Sequence, residues 1–297
     1  MAIVSGDIPR LLEAGLKTIF FEAYEKTPVF YEKVATVVPS TRDREVYAWL
    51  GNLPRMSEWV DERIPKGLLE HEFTIVNKNW ELSIAIDRNA LEDDQYGQIK
   101  ARVSQMGEEA ARHIDELVFS LLADGFNLPC YDGQNFFDDE HQEGKSPVQS
   151  NKGTVALSVD SYADARAKMM RLVDDQNKPM GIVPDTIVVP PELEETARLI
   201  IASDYYPSGS SMAANPWKNS AELIVTPYLT GTQNWFLLCT SRAVKPLILQ
   251  MRKEVEFNAL EGSSERGFFR REYVYGAEAR YNVGYGMWQF AYGSIVS

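Results

Sequence analysis

The residues best suited to chemistry sit close together. Cys130, Tyr131 and Asp132 are followed within a few positions by Asp138-Asp139-Glu140-His141. Oxygen ligands at this density could hold Mg²⁺ or Ca²⁺. A metal-dependent hydrolase would centre on Asp132, Asp138, Asp139 and His141. The order lacks the Asp/Asn-then-Gly pattern of a calcium loop, and charge runs usually mark solvated surface. A solvated loop is therefore the favoured reading. The three histidines, His71, His113 and His141, contain no i, i+4 pair of a helical zinc site. His113 falls inside a helical pattern and reads as a helix-surface or core residue.

Other signatures are incomplete. Gly284-Tyr285-Gly286 lacks the third glycine of a dinucleotide fingerprint. There is no P-loop and no G-x-S-x-G. Carboxylates are abundant, but none is singled out as half of a glycosidase pair. The tryptophans at 49, 59, 80, 217, 235 and 288 could stack on sugars. At dispersed positions they read more simply as core or interface anchors. No catalytic, cofactor-binding or metal residue is assigned, and no cofactor is implied.

The elements that must position these residues are legible from periodicity. Ile8, Leu11, Leu12, Leu16, Ile19, Phe20 and Tyr24 predict a first helix, ending before Thr27-Pro28. Val46 to Leu50, Phe73 to Val76 and Trp80 to Ile86 read as strands. Between them Glu58 to Lys66 is charged and ends in a Pro65-Lys66-Gly67 turn. Ile99, Val103, Met106, Ala110, Ile114, Leu117 and Leu121 predict a long helix over 97–124, with Gly125 as its left-handed cap. Residues 126–153 are polar and aperiodic and read as the boundary between two halves. A helix over 161–174 follows, capped by Ser161 and Asp164. Thr186 to Val189 is a strand, Pro190-Pro191 opens a helix through Ile201, and 204–219 is a loop. Strands are expected at 222–226, 235–239, 245–251, 268–275 and 281–292. The class is α+β.

Charge and composition narrow the function. Thirty basic against 43 acidic residues leave −13. That sign argues against a general nucleic-acid binder and against attachment to anionic lipid. No run approaches a membrane span. Two cysteines, Cys130 and Cys239, cannot make a disulfide framework and fit free thiols in a reducing cytosol.

The order of these pieces resembles the tailed-phage capsid fold, the Hong Kong 97 fold. More specifically, several collinear stretches resemble the major head subunit of Mu-like phages and prophages, the gpT family. They are Tyr47 to Gly51 with Glu58-Trp59-Val60, Asp87 to Asp94, and Asp124-Gly125-Phe126 through Cys130–Phe137 to His141. Pro184 to Pro190, Cys239 with Ser241 to Pro246, and Gly284 to Gln289 complete the series. They run from about residue 10 to 292, and their order is more specific than any one of them.

The resemblance implies an N-terminal arm at 1–44, an E-loop hairpin at 45–87, and a P-domain at 88–153 with the long helix as its spine. It implies an A-domain at 154–297, some of whose strands return to the P-domain. It implies a major capsid protein of the virion, made in the bacterial host cytoplasm. Such a protein assembles with itself as hexamers and pentamers into an icosahedral shell around double-stranded DNA, without sequence-specific binding. It would be neither an enzyme nor a membrane protein. A start at Met1 implies separate scaffolding, alongside protease and portal proteins. Trp49, Trp59, Arg63 and Lys66, on the E-loop, are the expected intersubunit contacts. Two isolated strands of that length are marginal in water and need a neighbour to cover them. An encapsulin-like compartment on the same fold, the hydrolase and a carbohydrate-binding module stand as rivals.

Overall fold

A computed structural model describes residues 8–47, 73–87, 96–208, 211–260 and 272–296. Helix α1 (Ile8–Lys26) stops where Pro28 forbids continuation. The short helix α2 (Tyr31–Val34) leads into β1 (Ala35–Pro39). β2 (Arg44–Val46) and β3 (Thr74–Val76) form a short antiparallel pair, with Arg44 opposite Val76. β4 (Lys78–Asp87) precedes the spine helix α3 (Tyr96–Asp124). At 29 residues this helix is about 44 Å long at 1.5 Å per residue.

The second half holds β5 (Lys152–Gly153), α4 (Val159–Arg171), β6 (Thr186–Val189), and a 3₁₀ turn that runs into α5 (Glu194–Ile201). β7 (Tyr205–Ser208), β8 (Ser211–Ala214), β9 (Glu222–Val225) and β10 (Trp235–Leu238) follow. The chain then makes a long ribbon, β11 (Leu247–Leu260) against β12 (Glu272–Tyr285), and closes with β13 (Ala291–Ser294).

Two sheets organise the molecule. One has the order β1-β11-β12-β4 and the other β5-β13-β10-β6-β9. The first mixes a parallel pair, β1 with β11, with antiparallel pairs to β12 and β4. Its inner face packs on α3 and α1, burying Leu16, Phe20, Ile99, Val103, Met106, Phe257 and Tyr275. A larger core joins the lower half of α3 to the second sheet, through Val118, Phe119, Leu122, Phe137, Val188, Phe236 and Trp288.

That division explains a shift along α3. The stripe Ile99, Val103, Met106 and Ile114 is buried, but Leu117 and Leu121 are half-buried, and Val118, Phe119 and Leu122 take the interior instead. One helix serves two cores, so its buried face rotates between them.

Several expectations are corrected. The run 78–87 is not part of a free hairpin over 45–87, because it pairs with β12 along its whole length, from Lys78–Tyr281 to Asp87–Glu272. Residues 126–153, read as a polar boundary between halves, fold back into the core instead: Phe126, Phe136 and Phe137 are buried, and the Phe126 and Phe137 rings lie 4.9 Å apart. Gly125 does not adopt a left-handed conformation. A Cβ there would stand 2.8 Å from the Phe137 ring, so close packing is its reason. The capping box of α4 lies one turn earlier, between Ser158 and Ser161. The expected loop at 204–219 contains the β7–β8 hairpin; of the two closing aromatic runs, 268–271 lies outside the described residues, and the rest is one 14-residue strand followed, after a 3₁₀ turn, by β13.

Candidate functional site

The loop after α3 folds back into the larger core and brings three of the candidate donors together. The Cys130 thiol donates to Asp132 Oδ1 at 3.0 Å, and His141 Nδ1 lies 2.6 Å from Asp132 Oδ2. The Gln134 backbone N–H donates to the same carboxylate at 3.1 Å. The His141 ring stacks on Trp288 with centroids 4.0 Å apart. Burial raises the Asp132 pKa, but the hydrogen bond and charge of His141 outweigh it, leaving the carboxyl below its usual range. Burial, reinforced by Asp132, pushes the Cys130 thiol well up.

Cys130, Asp132 and His141 present sulfur, oxygen and nitrogen atoms within 4.8 Å of one another. They do not fit the hydrolase centre. A catalytic metal keeps one position open to water and substrate, whereas the His141 and Asp132 side chains are 0% and 3% exposed. The other two proposed ligands are spent elsewhere. Asp138 Oδ1 accepts from the backbone N–H groups of Asp139 and Glu140, and Asp139 faces Ser150 and Lys152. The trio closes the 130–141 loop on itself.

Beside it lies a second buried polar group that sequence reasoning missed. Glu143 accepts hydrogen bonds from Tyr131, from Trp288 Nε1 at 2.9 Å and from Gln289 Nε2 at 2.8 Å. Burial raises its pKa despite these donors. Together the two groups tie the loop to the Gly286–Gln289 region, more than 140 positions away. That is why two of the collinear motifs carry polar residues inside apolar surroundings.

A third polar network holds the β2–β3 pair to the first sheet. Tyr47 Oη donates to Gln250 Oε1 at 2.9 Å. Gln250 Nε2 donates to Asn77 Oδ1 at 2.9 Å and Ile75 O at 3.2 Å. Asn77 Nδ2 donates to Ser40 Oγ at 2.9 Å and Arg42 O at 2.8 Å. Gln250 is fully buried. A glutamine inside Leu247-Ile248-Leu249-Gln250 is the sequence signal that could have found it, since buried amides demand partners. Just outside this socket Val37, Val46 and Val76 are about half exposed, at 48%, 53% and 48%. Trp49, Trp59, Arg63 and Lys66 lie between Tyr47 and Phe73, outside the described residues. Among the described residues no helix is long and apolar enough to cross a membrane.

Comparison with known proteins decides what this architecture is for. The family model of the Mu-like prophage major head subunit gpT matches residues 10–156, 149–229 and 230–296. The Mu-like prophage FluMu major head subunit of Haemophilus influenzae is 30% identical over 293 residues, covering 98% of this chain and 74% of that protein. The major capsid protein of Escherichia phage Mu is 32% identical over 292 residues, with the same coverages. Among solved structures, the procapsid of bacteriophage JBD30 aligns with a TM-score of 0.63 and 30% identity, over 99% of this chain and 77% of that one. A virus-like particle from Pyrococcus furiosus aligns at TM-score 0.55 and 11% identity, over 95% and 98%, a likeness of fold alone. The fold is that of Hong Kong 97-like phage capsids, and the chain belongs to the Mu-like prophage major head subunit family of phage capsid proteins.

Proposed function

We propose that copies of this chain assemble, as hexameric and pentameric rings, into the closed icosahedral shell that holds phage double-stranded DNA. In this reading 1–44 is an arm and the segment leaving Tyr47 and returning at Phe73 is the E-loop that reaches a neighbour. The spine helix with the first sheet is the P-domain, and the second sheet is the core of the A-domain. One observation carries the reading. The β2–β3 pair is locked to the sheet by a buried polar socket, while Val46, next to Tyr47 where residues 48–72 depart, is about half exposed. In full extension each half of that segment reaches about 40 Å at 3.3 Å per residue, far enough to leave its own subunit. Trp49, Trp59, Arg63 and Lys66 would then meet a different surface on the next copy, a heterologous contact of the kind that closes into rings.

The net charge of −13 suits a container whose wall must not hold its DNA tightly. In this reading synthesis takes place in the host cytoplasm, and a protease and a portal are further partners. Negative-stain electron microscopy of the chain co-expressed with its neighbouring phage genes tests this. Closed shells, or six- and five-membered rings, are expected. A small monodisperse particle under those conditions would overturn the reading.

A further inference from the structure

Among the described residues, β7 and β8 form a sheet of two strands with no third strand beside them. Such a hairpin is marginal in water unless something covers it. Tyr205 stands opposite Ala214 and Pro207 opposite Met212, so alternation puts Tyr205, Met212 and Ala214 on one face. An antiparallel ribbon normally turns its polar face to water. Here the order is reversed. Tyr206 and Ala213, on the other face, are half-buried, while Met212 is 62% and Tyr205 58% exposed. Tyr205 is the only exposed aromatic ring among the described residues. From Tyr205 to Trp217 no residue is charged, and the flanking Asp204 and Lys218 pair with each other.

Copies of a chain with net charge −13 repel one another over most of their surface. An uncharged apolar face is where two of them meet at the lowest electrostatic cost, so the occupant that fits is a second copy. Within one chain the hairpin is tied to the end of α5. Asn215 Nδ2 donates to Ile200 O at 2.7 Å and to Ser203 O at 2.9 Å, and the Asn219 N–H donates to Ile201 O at 2.7 Å. The solvent side of α5 carries a shallow trough whose lining includes Pro191, Thr196 and Leu199. Leu199 is 37% exposed, and Glu194 and Arg198 neutralise each other there at 2.7 Å. Rotation about a ring axis keeps every surface at its own distance from that axis. The hairpin of one subunit therefore meets what lies beside the hairpin in the next, which is this side of α5. We infer that Tyr205 and Met212 of one copy dock against Leu199 and Pro191 of the next, a heterologous contact separate from that of residues 48–72.

This contact rests on the assembly reading above, and its test separates the two. Leu199→Cys combined with Met212→Cys should give interchain disulfides in assembled shells, seen as a ladder of multimers on non-reducing denaturing gels. The native Cys130 and Cys239 are buried at 5% and 1% and do not compete. Tyr205→Glu with Met212→Glu should cut shell yield roughly tenfold or more, because the contact would bury unpaired charge. The thermal unfolding of the unassembled chain should stay unchanged, since both side chains are exposed there. Tyr205→Phe with Met212→Leu should keep the yield. Three results would overturn the contact and leave the assembly reading standing: shells that form normally in the glutamate variant, cysteine-pair shells that run only as monomers, or dimers from Met212→Cys alone, which would set hairpin against hairpin. Failure of the unaltered chain to form any shell would overturn the assembly reading, and this contact with it.

Discussion

Asp132 shows how a residue with catalytic credentials becomes a structural clasp. Its carboxylate takes the Cys130 thiol, the Gln134 N–H and His141, all behind a stacked tryptophan. Hydrogen bonds to a buried charged group are worth about 1.5–3 kcal/mol, and Asp132→Asn should destabilise the unassembled chain by about that much in denaturant titration. The pH dependence has a definite sign. The folded pKa of Asp132 is depressed, so its contribution is present above the unfolded value near 4 and is lost as pH falls through the folded one. Glu143 acts oppositely: its folded pKa is raised by burial, so its contribution declines as pH rises from the unfolded value through the folded one. In Asp132→Asn, stability between pH 3 and 5 should vary less steeply than in the unaltered chain. An unchanged slope would mean that His141 does not hold the carboxylate as the geometry has it.

At the scale of elements, two contacts decide how the pieces meet. α1 crosses α3 at Gly107, where a Cβ would stand 2.3 Å from the Phe20 carbonyl oxygen. Alanine is the better helix former by about 1 kcal/mol, so propensity alone predicts that Gly107→Ala stabilises. The backbone contact predicts the reverse: a net loss of about 1–3 kcal/mol, the usual range for overpacking. A raised melting temperature would show that α1 can move away at little cost. The second contact is the Gln250 socket. Gln250→Leu removes three hydrogen bonds and should cost about 2–3 kcal/mol. Hydrogen exchange should quicken first at Thr74, Ile75 and Val76, while the centre of β11–β12 stays protected.

For the whole molecule, the assembly reading separates what stabilises the chain from what joins its copies. The described residues by themselves supply two buried cores. Replacing residues 49–71 with a short glycine-containing turn should therefore shift the melting temperature by less than about 2 °C, the equivalent of about 1 kcal/mol for a chain of this length. The same variant should form no shells. Shells from that variant would place the decisive contacts elsewhere on the surface. A melting temperature lowered by much more would show that the segment packs on its own subunit.

Much of this was determined by the sequence alone. Period 3.6 found α1 and α3, because an amphipathic stripe is local and needs no knowledge of what covers it. Proline at 28 and at 190–191 set element ends for the same local reason. Collinear motifs from Tyr47 to Gln289 pointed to the capsid family, since the order of many weak signals survives where each alone is ambiguous. Tertiary structure decided the rest. Only the fold-back of 126–153 into the core chose Cys130, Asp132 and His141 as partners and excluded Asp138 and Asp139. Only the β12 pairing took 78–87 out of the hairpin, and only the helix crossing explains Gly107. These outcomes depend on groups far apart in the chain being brought within a few ångströms, where burial and hydrogen-bond demand choose among residue types that local patterning treats alike.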